Sequence, residues 1–212
     1  RQGMAYLLDR LRFFIEWLIL TLGYPGLAFI MFLENLFPPI PSEVVLPFAG
    51  SLVADGELSL AGVLIASTVG AVLGTGLFYY LGFRLGEART RALIRRYGRF
   101  AGLEEDDLDR SLRLFRRFQR GVIFFGRFMP GVRTLISLPA GVARMRLGTF
   151  LLFTVLGTLA WNALLVGAGV FLGERWEDIL AVVDRFETFF WIVIALLVLY
   201  FGFTRVRRWR RG

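Results

Sequence analysis

Four charged side chains lie inside long apolar stretches of the sequence. Glu34 and Glu43 fall in one stretch, and Arg127 and Arg133 fall in another. An ionised side chain at membrane depth costs ~2.5–3.5 kcal/mol on insertion scales, so each of the four invites a functional explanation. Arginine holds phosphate through two parallel hydrogen bonds, and a carboxylate shielded from water accepts a proton. The residue types therefore predict an anion site beside proton-accepting groups.

Each of the four charges also has an ordinary alternative role. Arg127 and Arg133 would serve as topological anchors whose side chains reach the membrane surface. Glu34 and Glu43 would serve as helix caps, because an acid is favourable near a helix N-terminus. Pro130, between the two arginines, favours a bend that turns both side chains inward. If the two stretches meet, the four residues form a compact polar cluster in which each charge has a partner.

The residue types that are missing exclude several chemistries. All 25 basic residues are arginine, and the chain has no lysine, histidine or cysteine. A Ser-His-Asp triad, a thiolate nucleophile, a structural zinc site and a lysine-bearing phosphate loop are thereby excluded. The sequence predicts no metal and no cofactor. The net charge of +8 does not indicate nucleic acid, because the arginines cluster beside apolar stretches, as the positive-inside rule requires.

Four apolar stretches are predicted to cross a bilayer, which takes about 20 residues of helix. Arginine-rich loops mark the cytoplasmic side, and an acidic loop at residues 174–187 marks the other side. With both termini in the cytoplasm, the four spans thread through the membrane without contradiction. They are residues 13–33, 58–83, 147–172 and 188–204.

Two further apolar stretches, residues 34–56 and 121–145, begin and end on the same side in this scheme. Six of the seven prolines lie in them, and proline interrupts a helix. Each stretch is therefore predicted to be a re-entrant helical hairpin. Residues 88–120 between them are predicted to form a cytoplasmic amphipathic linker. The predicted hairpin turn residues are Pro41, Pro47 and Gly50 in the first hairpin and Pro130, Pro139 and Gly141 in the second.

The two halves of the chain share a glycine pattern at a constant offset of 87 residues, and such glycines let spans pack closely. Because one hairpin enters from outside and the other from the cytoplasm, the two copies must have opposite orientations. The predicted fold is an all-α integral membrane protein with four transmembrane helices and two oppositely oriented hairpins in an inverted repeat. It is a single membrane domain over residues 1–212, with repeat 1 at 34–87, repeat 2 at 121–174 and the final span at 188–204. The matching pairs are Gly70 with Gly157, Gly82 with Gly169, Gly86 with Gly173 and Glu87 with Glu174.

Short motifs surround the four charged residues and extend beyond them. They are Phe32-Leu33-Glu34-Asn35, Pro41-Ser42-Glu43, Gly126-Arg127-Phe128, Val132-Arg133-Thr134 and Ala140-Gly141. Together they resemble the DedA family, the bacterial branch of the superfamily that carries the VTT domain. The resemblance spans roughly residues 29–173.

The resemblance implies a multi-pass protein of the bacterial cytoplasmic (inner) membrane that transports lipid. Family members are implicated in moving lipids between leaflets, including the carrier undecaprenyl phosphate, and some depend on the proton-motive force. The resemblance places the family's essential acids on Glu34 and Glu43 and its essential arginines on Arg127 and Arg133. Members often have aspartate where this chain has Glu43, which keeps the charge on a shorter side chain.

The leading hypothesis is a translocase in which Arg127 and Arg133 clamp the phosphate of undecaprenyl phosphate while Glu34 and Glu43 exchange protons. Within transport, the alternatives are a phosphatidylethanolamine-type flippase or scramblase and a proton-coupled antiporter. Outside transport, they are an intramembrane lipid phosphatase or transferase and a structural organiser of the membrane. The predicted partners are membrane lipids and protons, and the oligomeric state stays open, a homo-oligomer included.

Overall fold

The computed structural model of the chain describes residues 13–36, 42–101, 105–129 and 132–173. These ranges are built from α-helices and contain no β-strand, in agreement with the all-α prediction. The predicted span at residues 188–204 lies outside the described residues. The helices are α1 (Phe13–Leu22), α2 (Tyr24–Leu36), α3 (Ser42–Ala54), α4 (Leu60–Ala101), α5 (Glu105–Gly126), α6 (Val132–Leu135), α7 (Ser137–Val142) and α8 (Leu147–Leu172).

Two long helices, α4 and α8, pack against each other. Both are long and apolar enough to cross a membrane, in agreement with two of the predicted spans. Ser67 of α4 contacts Asn162 of α8, and farther along the chain Tyr79 of α4 stacks on Phe150 of α8. Rising residue numbers in α4 therefore meet falling numbers in α8, which means that the two helices run antiparallel.

Gly86 and Gly173 end the apolar parts of α4 and α8. Their φ angles are +61° and +52°, in the left-handed region that glycine adopts without a steric penalty. Nothing lies within 4 Å of where a side chain would start at either residue. The prediction that these two glycines serve close helix packing is therefore wrong, because the backbone conformation requires them.

The predicted first span, residues 13–33, is not one continuous helix. It breaks at Gly23, where φ is +60°, and α2 starts at the next residue. Pro25 follows, and its missing N–H prevents a helical hydrogen bond at that point. With 13 residues, α2 is about 20 Å long and too short to cross a ~30 Å hydrocarbon core. Glu34, at the predicted start of the first hairpin, therefore lies inside α2.

Helix α3 packs against α8 rather than against α2, its neighbour in sequence. Gly50 lies against the backbone carbonyl of Val166, and Gly169 lies against the carbonyl of Pro47. A Cβ atom at either glycine would overlap the facing backbone, so this close approach requires glycine at both positions. The predicted packing role of Gly169 is thereby confirmed.

Helix α7 repeats this arrangement against α4. Gly141 lies against the carbonyl of Tyr79, and Gly82 lies against the carbonyl of Leu138. Tyr79 and Gly82 precede by 87 positions the two α8 residues that receive α3. The second short helix of each half therefore packs on the long helix of the other half.

Four of the six predicted turn residues lie inside helices instead. Pro47 and Gly50 belong to α3, and Pro139 and Gly141 belong to α7. Pro139 is the third residue of its helix, where a missing N–H breaks no internal hydrogen bond, and the two glycines serve helix contact. The prediction of turns at these four positions is wrong. Pro41 and Pro130 lie outside the described residues.

The predicted amphipathic linker is helical on both sides of residues 102–104. Helix α4 continues past its break to Ala101, and α5 buries Leu112 and Phe115 while exposing arginines on its other face. A second break lies at Phe118, where φ is −121° and ψ is 20°. Beyond this break α5 continues to Gly126, so the stretch predicted as the second hairpin begins inside this helix.

Candidate functional site

Arg133 joins the two predicted hairpins. It lies in α6, forms an ion pair with Glu34 near the end of α2, and donates a 2.8 Å hydrogen bond from Nη1 to the Ser42 hydroxyl at the start of α3. The side chains of Arg133 and Glu34 are 14% and 4% exposed. The predicted meeting of an acid from one half with a base from the other is therefore found at this pair.

A second polar contact lies beside this pair. Thr134 donates a 3.0 Å hydrogen bond to Asn35 Oδ1, and Asn35 Nδ2 donates to the Met31 carbonyl at 2.8 Å. Because a carbonyl only accepts hydrogen bonds, it fixes which way the Asn35 amide faces. Asn35 received no role from the sequence, although its place directly after Glu34 was the available signal.

Arg127 is buried beside hydroxyl groups. Only 2% of the residue is exposed, and its Nη2 donates to Ser137 in α7 at 3.0 Å and to Thr154 in α8 at 3.2 Å. The partners of this charge are therefore hydroxyl groups, and across the described ranges Arg127 forms no ion pair. Hydroxyl oxygens orient the guanidinium without neutralising it, which leaves its charge available to an anion.

Glu43 is buried at 5% exposure in the first turn of α3, next to Ser42. A carboxylate in the first turn of a helix is favoured by the helix dipole, which is the ordinary alternative for this residue. Glu43 does not border the cleft around the two arginines. The structure therefore brings three of the four predicted residues to one cleft. The fourth, Glu43, follows Ser42 in sequence, and Ser42 accepts a hydrogen bond from Arg133.

Glu34, Arg127 and Arg133 border a small cleft between the helices, called the central cleft below, with about 260 Å³ of empty space. Helix α4 contributes Ala71 to its wall, and α8 contributes Thr158, which lies at the repeat-equivalent position. The central cleft therefore lies where the two halves of the chain meet. Its other lining residues are Met31, Asn35, Trp161 and Asn162.

Trp161 and Asn162 are lining residues that sequence reasoning missed. Both lie within the charge-free stretch 147–172. Both residues are uncharged, so a search for charged groups at membrane depth does not find them. A primary amide in an apolar span nevertheless needs a hydrogen-bond partner. Asn162 was therefore the available signal in this part of the sequence.

A second charged region, called the arginine arm below, lies where the end of α4 meets the start of α5. Arg91 donates to Asp109 at 2.6 Å and to Glu87 at 3.0 Å, and Arg95 donates to Glu105 at 2.5 Å. The hydrogen bond from Arg91 lowers the pKa of Asp109, and the hydrogen bond from Arg95 lowers the pKa of Glu105. Unlike the central cleft, this region is open to solvent.

Comparison with known proteins points to one family of membrane proteins. The VTT domain profile matches residues 40–171. Undecaprenyl phosphate transporter A of Bacillus subtilis (strain 168) is 34% identical over 188 residues, which cover 88% of this chain and 90% of that protein. The protein of the same name from Staphylococcus aureus (strain NCTC 8325 / PS 47) is 31% identical over 189 residues, covering 89% and 93%. A Lactococcus lactis subsp. cremoris (strain MG1363) protein named "Alkaline phosphatase-like protein" is 42% identical over 180 residues, covering 84% and 83%. No solved structure matches the chain.

Proposed function

Because the chain belongs to the DedA family of VTT-domain membrane proteins, we propose that it moves undecaprenyl phosphate across the bacterial cytoplasmic membrane. The two relatives named for transport of this lipid support the choice of substrate, since each aligns over most of both chains. The names of these relatives point to a membrane transporter rather than an enzyme. The name of the Lactococcus protein makes phosphate release an outcome that must be measured.

The observation that carries the proposal is the pair of buried arginines at the central cleft. Arg127, in the turn that follows α5, and Arg133, in α6, both border it. Two guanidinium groups match the geometry of a phosphate and remain charged at any physiological pH. The arginines are thus the proposed clamp for the lipid phosphate.

The Glu34–Arg133 pair provides the proposed coupling to protons. A phosphate that enters the central cleft competes with Glu34 for the guanidinium of Arg133. A carboxylate that loses its cation in a buried site becomes a better proton acceptor. Substrate binding and proton uptake are thereby linked in the proposed cycle, with Glu43 as a second proton site next to Ser42.

The size of the central cleft bears on how the lipid is held. The central cleft is small, so it suits a headgroup and not a polyprenyl chain. Phe125 and Leu135, each two residues from one of the arginines, are 68% and 62% exposed. These side chains offer an apolar surface on which the tail stays in the bilayer.

Movement of the headgroup between leaflets requires two alternating openings. We infer that the two halves form the predicted inverted repeat. Helices α4 and α8 run antiparallel, α3 of the first half packs on α8 of the second, and α7 of the second half packs on α4 of the first. Single cysteines at Asp55, in the turn after α3, and at Arg89, beyond the break in α4, test the orientation. The Asp55 site should react with an impermeant reagent in intact cells, and the Arg89 site only after permeabilisation.

The function is tested in sealed vesicles that contain the purified protein. Undecaprenyl phosphate and phosphatidylethanolamine are offered separately, with and without a pH gradient, and both far-leaflet lipid and free phosphate are measured. We expect undecaprenyl phosphate to cross intact, faster with the gradient. Movement of phosphatidylethanolamine alone would instead identify a phospholipid flippase or scramblase, and release of phosphate would identify a phosphatase.

A further inference from the structure

Four buried polar atoms around the central cleft have no hydrogen-bond partner among the described residues. Two are donors, Arg127 Nε and Trp161 Nε1, and two are acceptors, Glu34 Oε2 and Asn162 Oδ1. Leaving a buried polar atom unpaired is unfavourable, so finding four such atoms around one small cleft points to a ligand that pairs with them. That ligand must both accept and donate hydrogen bonds.

The direction in which Asn162 faces follows from its neighbours. Its Nδ2 donates to Ser67 Oγ at 3.0 Å, and Ser67 Oγ itself donates to the Leu64 carbonyl at 3.2 Å. The single hydroxyl hydrogen of Ser67 is thereby used, so Ser67 can only accept from Asn162. This requirement places the amide nitrogen of Asn162 against α4 and leaves its oxygen as the unpaired acceptor.

The two unpaired donors are also held in place. Arg127 is anchored through Nη2 by hydroxyls of α7 and α8, so its Nε–H is the donor that stays unpaired. Trp161 packs edge-on against Phe128, with ring centroids 5.9 Å apart. The indole ring is thus oriented by the residue that follows Arg127 in sequence.

We propose that the central cleft selects a phosphate monoester that carries one proton, and that Trp161 and Asn162 are the residues of α8 that recognise it. Its unprotonated oxygens accept from Arg127 Nε and Trp161 Nε1, and its P–OH group donates to Asn162 Oδ1, while Glu34 Oε2, once it has taken up the proton of the proposed cycle, donates to a phosphate oxygen. A phosphodiester has no P–OH, so Asn162 Oδ1 would stay unpaired at a cost. The inference rests on the proposed transport of a lipid phosphate.

This selection gives the protein a means of rejecting the bulk lipids of a membrane. Phospholipids such as phosphatidylethanolamine are diesters, whereas a polyprenyl phosphate is a monoester. A site that leaves polar groups unpaired with the wrong substrate discriminates more strongly than an apolar pocket does.

The test uses the purified full-length chain and two soluble probes, decyl phosphate and its methyl ester. The charged groups that face the cleft are Glu34, Arg127 and Arg133, whereas α4 and α8 contribute uncharged residues to its wall. Because the diester contacts the same three charged groups, the ratio of the two affinities measures the contribution of the proton on the phosphate. We expect decyl phosphate to bind about tenfold more tightly at pH 5.5 and this preference to shrink as the pH rises past the second phosphate pKa of about 6.

Variants assign the selection to individual atoms. Trp161→Phe should weaken both probes about tenfold, because it removes one donor and keeps the ring. Asn162→Leu should weaken decyl phosphate but not the diester, because it also removes the acceptor that the diester leaves unpaired. Trp17→Phe, at an exposed tryptophan outside the cleft, is the matched control and should change neither affinity. A preference for the monoester that grows with pH, or that is absent at every pH, would overturn the proposal. Unchanged binding of the probes by Trp161→Phe would also overturn it, because it would mean that the cleft holds water only.

The inference and the proposed function fail in different ways. If vesicles move undecaprenyl phosphate but the purified protein binds both probes equally, the selection mechanism is wrong and the transport function stands. If no lipid crosses while the monoester still binds preferentially at low pH, the site is correct and its assignment to transport is wrong.

Discussion

Arginine meets carboxylate in two regions of the molecule, and the surroundings of the two pairs differ sharply. In the central cleft, the Arg133 and Glu34 side chains are 14% and 4% exposed. In the arginine arm, the Arg91 and Asp109 side chains are 25% and 35% exposed. A buried pair loses much of its attraction to the cost of desolvation, and a surface pair is weakened by water and salt. Neither pair is therefore explained by stability alone.

The two regions also connect different parts of the chain. Arg91 and Asp109 are 18 positions apart and tie the end of α4 to the start of α5. Arg133 and Ser42 are 91 positions apart and tie the two predicted hairpins together. The exposed pairs thus connect two neighbouring helices, while the buried charges lie where, in the proposed transport cycle, the two halves of the molecule move relative to each other.

The largest expected effect is the loss of one partner from the buried pair. Glu34→Ala leaves Arg133 buried without its carboxylate, and such an unpaired charge costs about 3–5 kcal/mol of unfolding free energy. Thermal unfolding of the detergent-purified protein should show a clear drop in midpoint. An unchanged midpoint would mean that water reaches the pair and that the site is not desolvated.

Removing both partners sharpens this result. Glu34→Leu with Arg133→Met replaces the pair by apolar side chains of similar size, which is often neutral or stabilising. We expect the unfolding midpoint to return most of the way to the wild-type value. If the double variant were no more stable than Glu34→Ala alone, the charges would not be acting as a pair.

A smaller loss of stability is expected when lysine replaces an arginine, because the positive charge is kept and only the planar guanidinium group is lost. Arg127→Lys and Arg133→Lys should insert and fold, yet transport should fall at least tenfold, because an ammonium cannot make two parallel hydrogen bonds to a phosphate. Arg84→Lys, at an exposed arginine outside the cleft, is the matched control. Wild-type transport by either lysine variant would show that positive charge alone suffices.

Substitutions in the arginine arm should have little effect. Asp109→Asn removes a carboxylate whose pKa is lowered by its hydrogen bond from Arg91, and that interaction is open to solvent. Transport and the unfolding midpoint should stay close to wild type, and any difference should vanish at high salt. A large loss of transport here would move the functional centre from the cleft to the arm.

The smallest expected effect is the response of the arginine arm to acid. The pKa of Asp109 and of Glu105 is lower in the folded state, so their contribution is present above the usual carboxyl range of about 4 and is lost as the pH falls through the folded values. Hydrogen exchange at residues 105–118 should therefore be faster at acidic pH, after correction for intrinsic rates, than near neutrality. Equal protection at both pH values would contradict this role for the ion pairs.

The long helices could be predicted because composition alone determines them. A charge-free stretch of more than 20 residues is expected to form a membrane-spanning helix, and α4 and α8 coincide with two such stretches. The break at Gly23 escaped the same reasoning, because an average over an apolar stretch does not register a single left-handed residue. The sequence Gly23-Tyr24-Pro25 was the local signal.

The site was only partly predictable, for a different physical reason. The cost of burying a charge at membrane depth singles out Glu34, Glu43, Arg127 and Arg133, and all but Glu43 border one cleft. That Glu34 of α2 pairs with Arg133 of α6 depends on tertiary packing, which the sequence pattern does not specify. A neutral polar group such as Asn162 costs less at depth than a charge, so the sequence marks it only weakly and its place in the cleft reveals its role.

The central claim is that the buried charges serve the lipid phosphate and not the stability of the fold. Its most direct test is transport of undecaprenyl phosphate in vesicles that contain the Glu34→Leu/Arg133→Met double variant. Because this variant lacks one arginine of the proposed clamp together with its counter-charge, and the two substitutions leave neither partner of that pair behind, we predict a folded protein that moves no more lipid than protein-free vesicles. Transport at the wild-type rate would contradict the account.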